Sequence, residues 1–114
     1  MLEEIQEKLL ADIRYSETLL VVEGKRDREA LRKAGLDNIV EISGRQLEGV
    51  VDVVKSKQSQ VTILTDYDEE GVRQYKRLKK LLLSDGVKVN DIFRRDFKRA
   101  FLVNRIEELN GYFK

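Results

Sequence analysis

The sequence predicts an α/β fold, a three-layer sandwich in which a four-stranded, mainly parallel sheet carries helices on both faces. Three observations predict it. Short apolar runs at Thr18–Val22, Asn38–Ile42 and Val61–Thr65 alternate with segments of helical periodicity, and strands alternating with helices imply parallel, right-handed crossovers. The first and third runs are apolar along most of their length, as strands covered on both faces are. Both also end in acidic residues where a helix is about to start: Glu23-Gly24-Lys25-Arg26-Asp27 after the first, Asp66-Tyr67-Asp68-Glu69-Glu70-Gly71 after the third.

The elements follow in the order α-β-α-β-α-β-α-β-α. Leu2, Ile5, Leu9 and Ile13 recur at helical spacing, so residues 1–16 read as an amphipathic N-terminal helix. After the first strand, Asp27 is placed to cap a short helix that turns Ala30, Leu31 and Ala34 inward, and Gly35 closes it as a left-handed cap. The second strand covers Asn38–Ile42, and Ser43-Gly44-Arg45 is a turn. Leu47, Val50, Val51 and Val54 are spaced i, i+3, i+4, i+7 and argue helix, although the β-branched valines oppose it. Val72, Tyr75, Leu78 and Leu82 mark the helix after the third strand, stopped by Ser84-Asp85-Gly86. Val87 and Val89 alternate in a weaker fourth strand running toward Ile92-Phe93, and Leu102, Ile106 and Leu109 mark a terminal helix over 99–112.

Composition narrows the chemistry. The 114 residues make one domain with a single core, 1–114. With 41% hydrophobic and 38% charged residues the chain is globular, outside the disordered class. The formal net charge of +1 argues against a broad basic surface, so phosphate affinity has to come from local clustering or bound metal. There is no Cys and no His. That removes disulfides, thiolate zinc sites, histidine ligation and the usual neutral-pH general base, so catalysis has to run on carboxylates, Lys, Tyr and metal. No apolar run reaches the length of a membrane span and no signal-peptide pattern is visible, so no membrane partner and a cytoplasmic location are expected.

The acid knot is the feature with most chemistry. Asp66, Asp68 and Glu70 occupy alternate positions at a strand-to-helix turn. Like charges a few ångströms apart repel, and a cation relieves the cost. Oxygen-only ligands suit Mg2+ or Mn2+ rather than zinc. The alternative is a solvated loop whose Glu69 and Glu70 merely complement the helix dipole. Ligands of open α/β sheets bind outside the carboxyl ends of strands where strand order reverses. If the strands beginning at Thr18 and Val61 are neighbours, Glu23 faces Asp66 and Asp68 across that crevice, and Gly24 lets the backbone approach a phosphate closely. The alternative for Glu23 is a rim acid paired with Lys25 or Arg26.

Taken together, Val22-Glu23-Gly24-Lys25-x-Asp27 and Asp66-x-Asp68-x-Glu70-Gly71 resemble the Toprim family, the metal-binding module shared by bacterial-type primases, type IA and type II topoisomerases, OLD-type nucleases and a ribosomal RNA maturation nuclease. The resemblance spans residues 18–93, with about 40 residues between the motifs, room for two βα units. It looks closest to small stand-alone Toprim proteins of archaea and bacteria. It implies a Rossmann-like sheet of four parallel strands and phosphodiester cleavage or joining. Asp66 and Asp68 match the aspartates that hold Mg2+, Glu23 matches the glutamate that serves as general acid/base or further ligand, and Glu70 matches the additional acidic position of topoisomerase-type members. Topoisomerases take a Tyr nucleophile from a separate domain and primases add zinc-binding and helical domains. This chain has room for neither, so DNA relaxation and independent primer synthesis are not expected. Tyr67 should point away from the metal-facing positions, and Tyr75 reads as core.

Cations accompany the acids. Lys25 and Arg26 follow Glu23, Arg45 lies in the loop after the second strand, and Arg73 sits one turn into the helix after the acid knot. Arg94, Arg95, Lys98 and Arg99 cluster around Phe97. Cations mixed with an aromatic suit single-stranded nucleic acid, through backbone charge and base stacking. The alternative is a solvated cationic face. The expected function is therefore Mg2+-dependent phosphodiester chemistry on RNA or DNA, with Glu23, Asp66 and Asp68 catalytic and Glu70 a further ligand. The competing reading is a non-catalytic metal- and nucleic-acid-binding module working with protein partners. A strand followed by DxD also resembles haloacid-dehalogenase-type phosphotransferases, but those carry the motif near the N-terminus with a later lysine and acidic pair not found here.

Overall fold

A computed structural model describes residues 2–57 and 60–113. The elements are α1 (Glu4–Ser16), β1 (Leu19–Val22), α2 (Lys25–Lys33), β2 (Ile39–Glu41), α3 (Leu47–Lys57), β3 (Val61–Ile63), α4 (Glu69–Ser84) and α5 (Asp91–Phe101), followed by a 3₁₀ segment, Ile106–Tyr112. The sheet has the order β2-β1-β3 and is parallel throughout, with Leu20 opposite both Ile39 and Thr62. The valine-rich segment that opposed its own periodicity is helical in α3. It buries Val50, Val51 and Val54, so packing outweighs propensity there.

β1 is buried at all four positions, because its pleat feeds two cores. Leu20 and Val22 pack with Leu9, Leu10 and Ile13 of α1, Ala30 and Leu31 of α2, and Phe97 and Phe101 of α5. Leu19 and Val21 pack on the other face with the α3 valines and with Leu78 and Leu82 of α4. Three layers result, as the alternation of elements predicts.

The expected fourth strand is corrected. Among the described residues the sheet has three strands, and Val89 contributes an isolated parallel bridge to Val61. The Val61 N–H donates to Lys88 O at 3.0 Å and the Asn90 N–H to Val61 O at 2.7 Å. Asn90 then ends the extended run, because its side chain accepts from the N–H groups of Ile92 (3.0 Å) and Phe93 (3.2 Å) and caps α5. Residues 99–112, expected as one helix, divide between the end of α5 and the 3₁₀ segment. Leu102 stands between them in the left-handed region at φ 55°.

α2 also starts earlier than expected. Gly24, not Asp27, is its N-cap, and Asp27 reaches back to accept the Gly24 N–H at 3.3 Å. Its C-terminus behaves as predicted. Gly35 sits at φ 88°, its N–H donates to Arg32 O, and the Leu36 N–H donates to Leu31 O, both at 3.0 Å.

Candidate metal centre

β1 and β3 are hydrogen-bonded neighbours, so the residues that follow them meet at one rim of the sheet. Glu23 directly follows β1. Its Oε2 accepts the backbone N–H of Asp66 at 2.8 Å, closing a gap of 43 residues. Asp27 lies in the first turn of α2 and is only 7% exposed. Glu23, Asp27 and Asp66 each offer a carboxylate oxygen within 4.8 Å of the other two.

Two of the three, Glu23 and Asp27, resist ionisation. Burial, more than any other cause, pushes the Glu23 carboxyl up to about 7; the Asp66 charge, a hydrogen bond between the two carboxyl groups and the Asp27 charge push the same way, while the Asp66 N–H opposes them. Asp27 is pushed up to about 6 by burial first and by the Asp66 and Glu107 charges next, against the N–H groups of Gly24 and Glu23. A compact, half-buried set of oxygen donors with surplus negative charge fits a hard divalent cation, whose charge would remove the repulsion.

The other predicted acids stand outside the trio. Asp68 is the N-cap of α4: its Oδ1 accepts the Gly71 N–H at 2.8 Å, and its Oδ2 lies 3.8 Å from Arg105 Nε. Glu70 pairs with Arg73 on the exposed first turn of α4. Asp27, read from the sequence as a helix cap, is the functional candidate that reasoning missed. The available signal was its place in the same strand-to-helix turn, four residues after Glu23 in Glu23-Gly24-Lys25-Arg26-Asp27.

The loop that carries Asp66 is held from several sides. The Ile106 N–H donates to Asp66 Oδ1 at 2.8 Å, and the Tyr67 N–H donates to Asn104 O at 2.6 Å, so the segment after α5 straps the rim. Thr65 Oγ1 donates to Gly71 O at 2.7 Å. Tyr67 turns its hydroxyl to donate to Arg94 O at 2.8 Å, and burial raises its pKa.

The predicted basic residues separate. Lys25, Arg26 and Arg45 are exposed on loops and first turns at the rim, with Arg26 3.9 Å from Glu107. Arg73 is engaged by Glu69 at 3.5 Å and by Glu70. Arg95 and Lys98 are exposed on α5; Arg95 lies 3.4 Å from Asp96, and Lys98 Nζ stands 5.4 Å from the Tyr67 ring centre. Arg99 lines a separate groove against Ile5, Leu9 and Asp12 of α1. Two members of the expected stacking cluster are corrected. Phe97 is fully buried core, and Arg94 is 7% exposed with its guanidinium bonded to backbone carbonyls. Arg95 and Lys98 instead border a groove with Tyr67, Tyr75 and Ile92.

The model of the Toprim domain matches residues 17–93, which include Glu23, Asp27, Asp66 and Asp68. The chain belongs to the Toprim family. A UPF0292 protein of Pyrococcus furiosus is 38% identical over 77 residues, 68% of this chain and 59% of that protein. A UPF0292 protein of Thermococcus gammatolerans is 33% identical over 109 residues, 93% of this chain and 81% of that one. A solved structure, a putative protein from Aquifex aeolicus, superposes with a TM-score of 0.80 at 32% identity, covering 89% of this chain and 94% of that one. The resemblance read from the two motifs is borne out, and it extends to small archaeal relatives. Toprim domains generally bind divalent metals through acidic residues and generally associate with nucleic acids, and in this chain Glu23, Asp27 and Asp66 cluster. No described helix is long and apolar enough to cross a membrane.

Proposed function

We propose that this Toprim protein performs Mg2+- or Mn2+-dependent phosphodiester chemistry on nucleic acid in the cytoplasm. The observation that carries the reading is the trio Glu23, Asp27 and Asp66, whose carboxylate oxygens lie within 4.8 Å of one another at the rim of the sheet. Glu23, Asp66 and Asp27 would hold the ion; Asp68 would join through Oδ2, now 3.8 Å from Arg105, and Glu70 only by releasing Arg73. A divalent ion bound there supplies Lewis acidity toward a phosphoryl oxygen and a bound water of lowered pKa. Where Asp27 and Asp66 hold the ion without Glu23, Glu23 would be the group placed to take or give a proton at Oε1, since Oε2 is engaged by the Asp66 amide. Lys25, Arg26 and Arg45 on the rim, and Arg95 and Lys98 beside Tyr67, would receive the phosphate backbone.

The test is purified protein with Mg2+ or Mn2+ and labelled RNA, single-stranded DNA and double-stranded DNA. Calorimetric uptake of the ion, with cleavage abolished in Asp66→Ala, is expected. No ion uptake, or full activity in Asp66→Ala, overturns the reading. One observation favours the non-catalytic alternative. Arg26, Arg73 and Arg95 are each already paired with an acid of this chain, so a partner protein supplying further cations would strengthen nucleic-acid affinity; binding without turnover selects it.

A further inference from the structure

We propose that Arg94 is the positioning residue of the acidic centre: it fixes the backbone on both sides of Asp66 and so sets how tightly the site takes a divalent ion. This rests on the metal-binding reading above, and it assigns to α5 a role that the two motifs do not contain. β3 ends at Ile63, so Leu64, Thr65 and Asp66 run beyond most of the sheet's ladder and need other partners. Leu64 keeps one sheet-like bond, from its N–H to Val21 O at 2.7 Å. The carbonyls are collected by one side chain. Arg94 Nη1 donates to Ile63 O at 3.2 Å and to Thr65 O at 2.8 Å, with Thr65 Oγ1 at 3.4 Å, and Nη2 donates to Asp66 O at 3.1 Å.

The guanidinium is itself fixed. It stacks on the rings of Tyr67 and Tyr75, 4.4 and 4.5 Å from their centres. The Tyr67 hydroxyl, one residue after Asp66, bonds back to the Arg94 carbonyl. The acidic loop and α5 therefore lock each other. A buried guanidinium is a costly way to fill space, since an apolar residue of similar volume packs at less desolvation cost. What the guanidinium adds is a rigid planar fork that serves several carbonyls at once, together with a positive charge behind the negative loop. Partners that orient a metal ligand typically alter metal affinity when removed.

The experiment compares wild type, Arg94→Met and Arg94→Lys. Mn2+ affinity is read by calorimetry. Amide hydrogen exchange of Asp66 and Ile106, in metal-free protein, is referenced to Leu20 and Val21. In Arg94→Met, exchange at Asp66 and Ile106 is expected to rise at least about tenfold while the β1 amides stay protected. Mn2+ affinity is expected to fall about 10- to 100-fold. Arg94→Lys, which keeps the charge and loses the fork, is expected to fall between, and it carries the test if the Met variant does not fold. Unchanged exchange overturns the proposal whatever the metal result, and so does faster exchange with unchanged Mn2+ affinity. If wild type takes up no Mn2+, the metal reading and the link to affinity fall together, whereas Mn2+ uptake by wild type, with faster exchange and weaker uptake in the variants, upholds both.

Discussion

Gly71 packs so closely on the carbonyl of Asp66 that a Cβ added to it would lie 2.0 Å from that oxygen. The first turn of α4 thus rests directly on the backbone of the acidic loop. The Gly71 N–H is taken by Asp68, and its carbonyl accepts the Thr65 hydroxyl. Gly71→Ala is expected to destabilise the protein by about 1–3 kcal/mol, as overpacking against a fixed neighbour does. It should also weaken Mn2+ uptake, because the backbone displaced is that of Asp66. Denaturant unfolding and calorimetry on the same sample check both; a neutral effect on stability would show that the helix start can slide.

The burial of Glu23 and Asp27, reinforced by neighbouring carboxylates, gives the metal-free protein a definite dependence on pH. Glu23 rises from 4.5 to about 7 on folding and Asp27 from 3.8 to about 6. The folded state therefore binds protons more tightly than the unfolded chain. Stability from these two groups is fully present below about pH 4 and is lost as pH rises through 6 and 7. The melting temperature of metal-free protein, corrected for the same curve in Glu23→Gln, should fall across this window. Millimolar Mg2+ should restore it on the alkaline side. A curve that rises between pH 5 and 7.5 would contradict the raised values.

Asp27 and Asp68 should separate when each is made an asparagine. Asp68→Asn keeps a good N-cap for α4, so stability should change by only a few tenths of a kcal/mol. Asp27→Asn removes a charge from within the trio, and Mn2+ affinity should fall about 10-fold or more. The measurement is a pair of Mn2+ titrations. A larger loss in Asp68→Asn would move the ion toward the start of α4.

Nucleic-acid affinity should depend on Arg95 and Lys98, which border the groove with Tyr67, more than on Arg99, which lines the groove toward α1. Lys98→Glu and Arg95→Glu are expected to weaken binding of single-stranded oligonucleotides and to lower the slope of log K against log salt by about 1 each. Arg99→Glu, in the groove toward α1, should leave the slope unchanged. Equal effects from all three would indicate diffuse attraction to a helix surface.

Much of this was legible in the chain because the residues involved speak through local rules. The apolar runs around Leu20 and Ile63, the left-handed closure at Gly35 and the acids ending β1 and β3 follow from periodicity, backbone freedom and charge. The residues that escaped depend on what lies across the fold. Val87 and Val89 alternate like a strand, but the Asn90 side chain turns the chain into α5 after a single bridge. Phe97 sits among cations in sequence, yet its i, i+4 relation to Phe101 makes it core, with ring centres 4.9 Å apart. Arg94 reads as one more surface cation until the carbonyls of Ile63, Thr65 and Asp66 are seen to converge on it. Asp27 has two roles available, and only the approach of Asp66 decides between them.

The strap formed by Asn104 and Ile106 has a practical consequence for anyone trimming this protein. The stretch matched by the family stops at 93, yet one of the donors that grips the key aspartate comes from thirteen residues further on. A fragment ending at residue 93 would lose the donor to Asp66 Oδ1 and the acceptor of the Tyr67 N–H. On the proposed metal-binding reading, swapping the last ten or so residues between relatives should alter ion affinity while leaving Glu23, Asp27 and Asp66 in place.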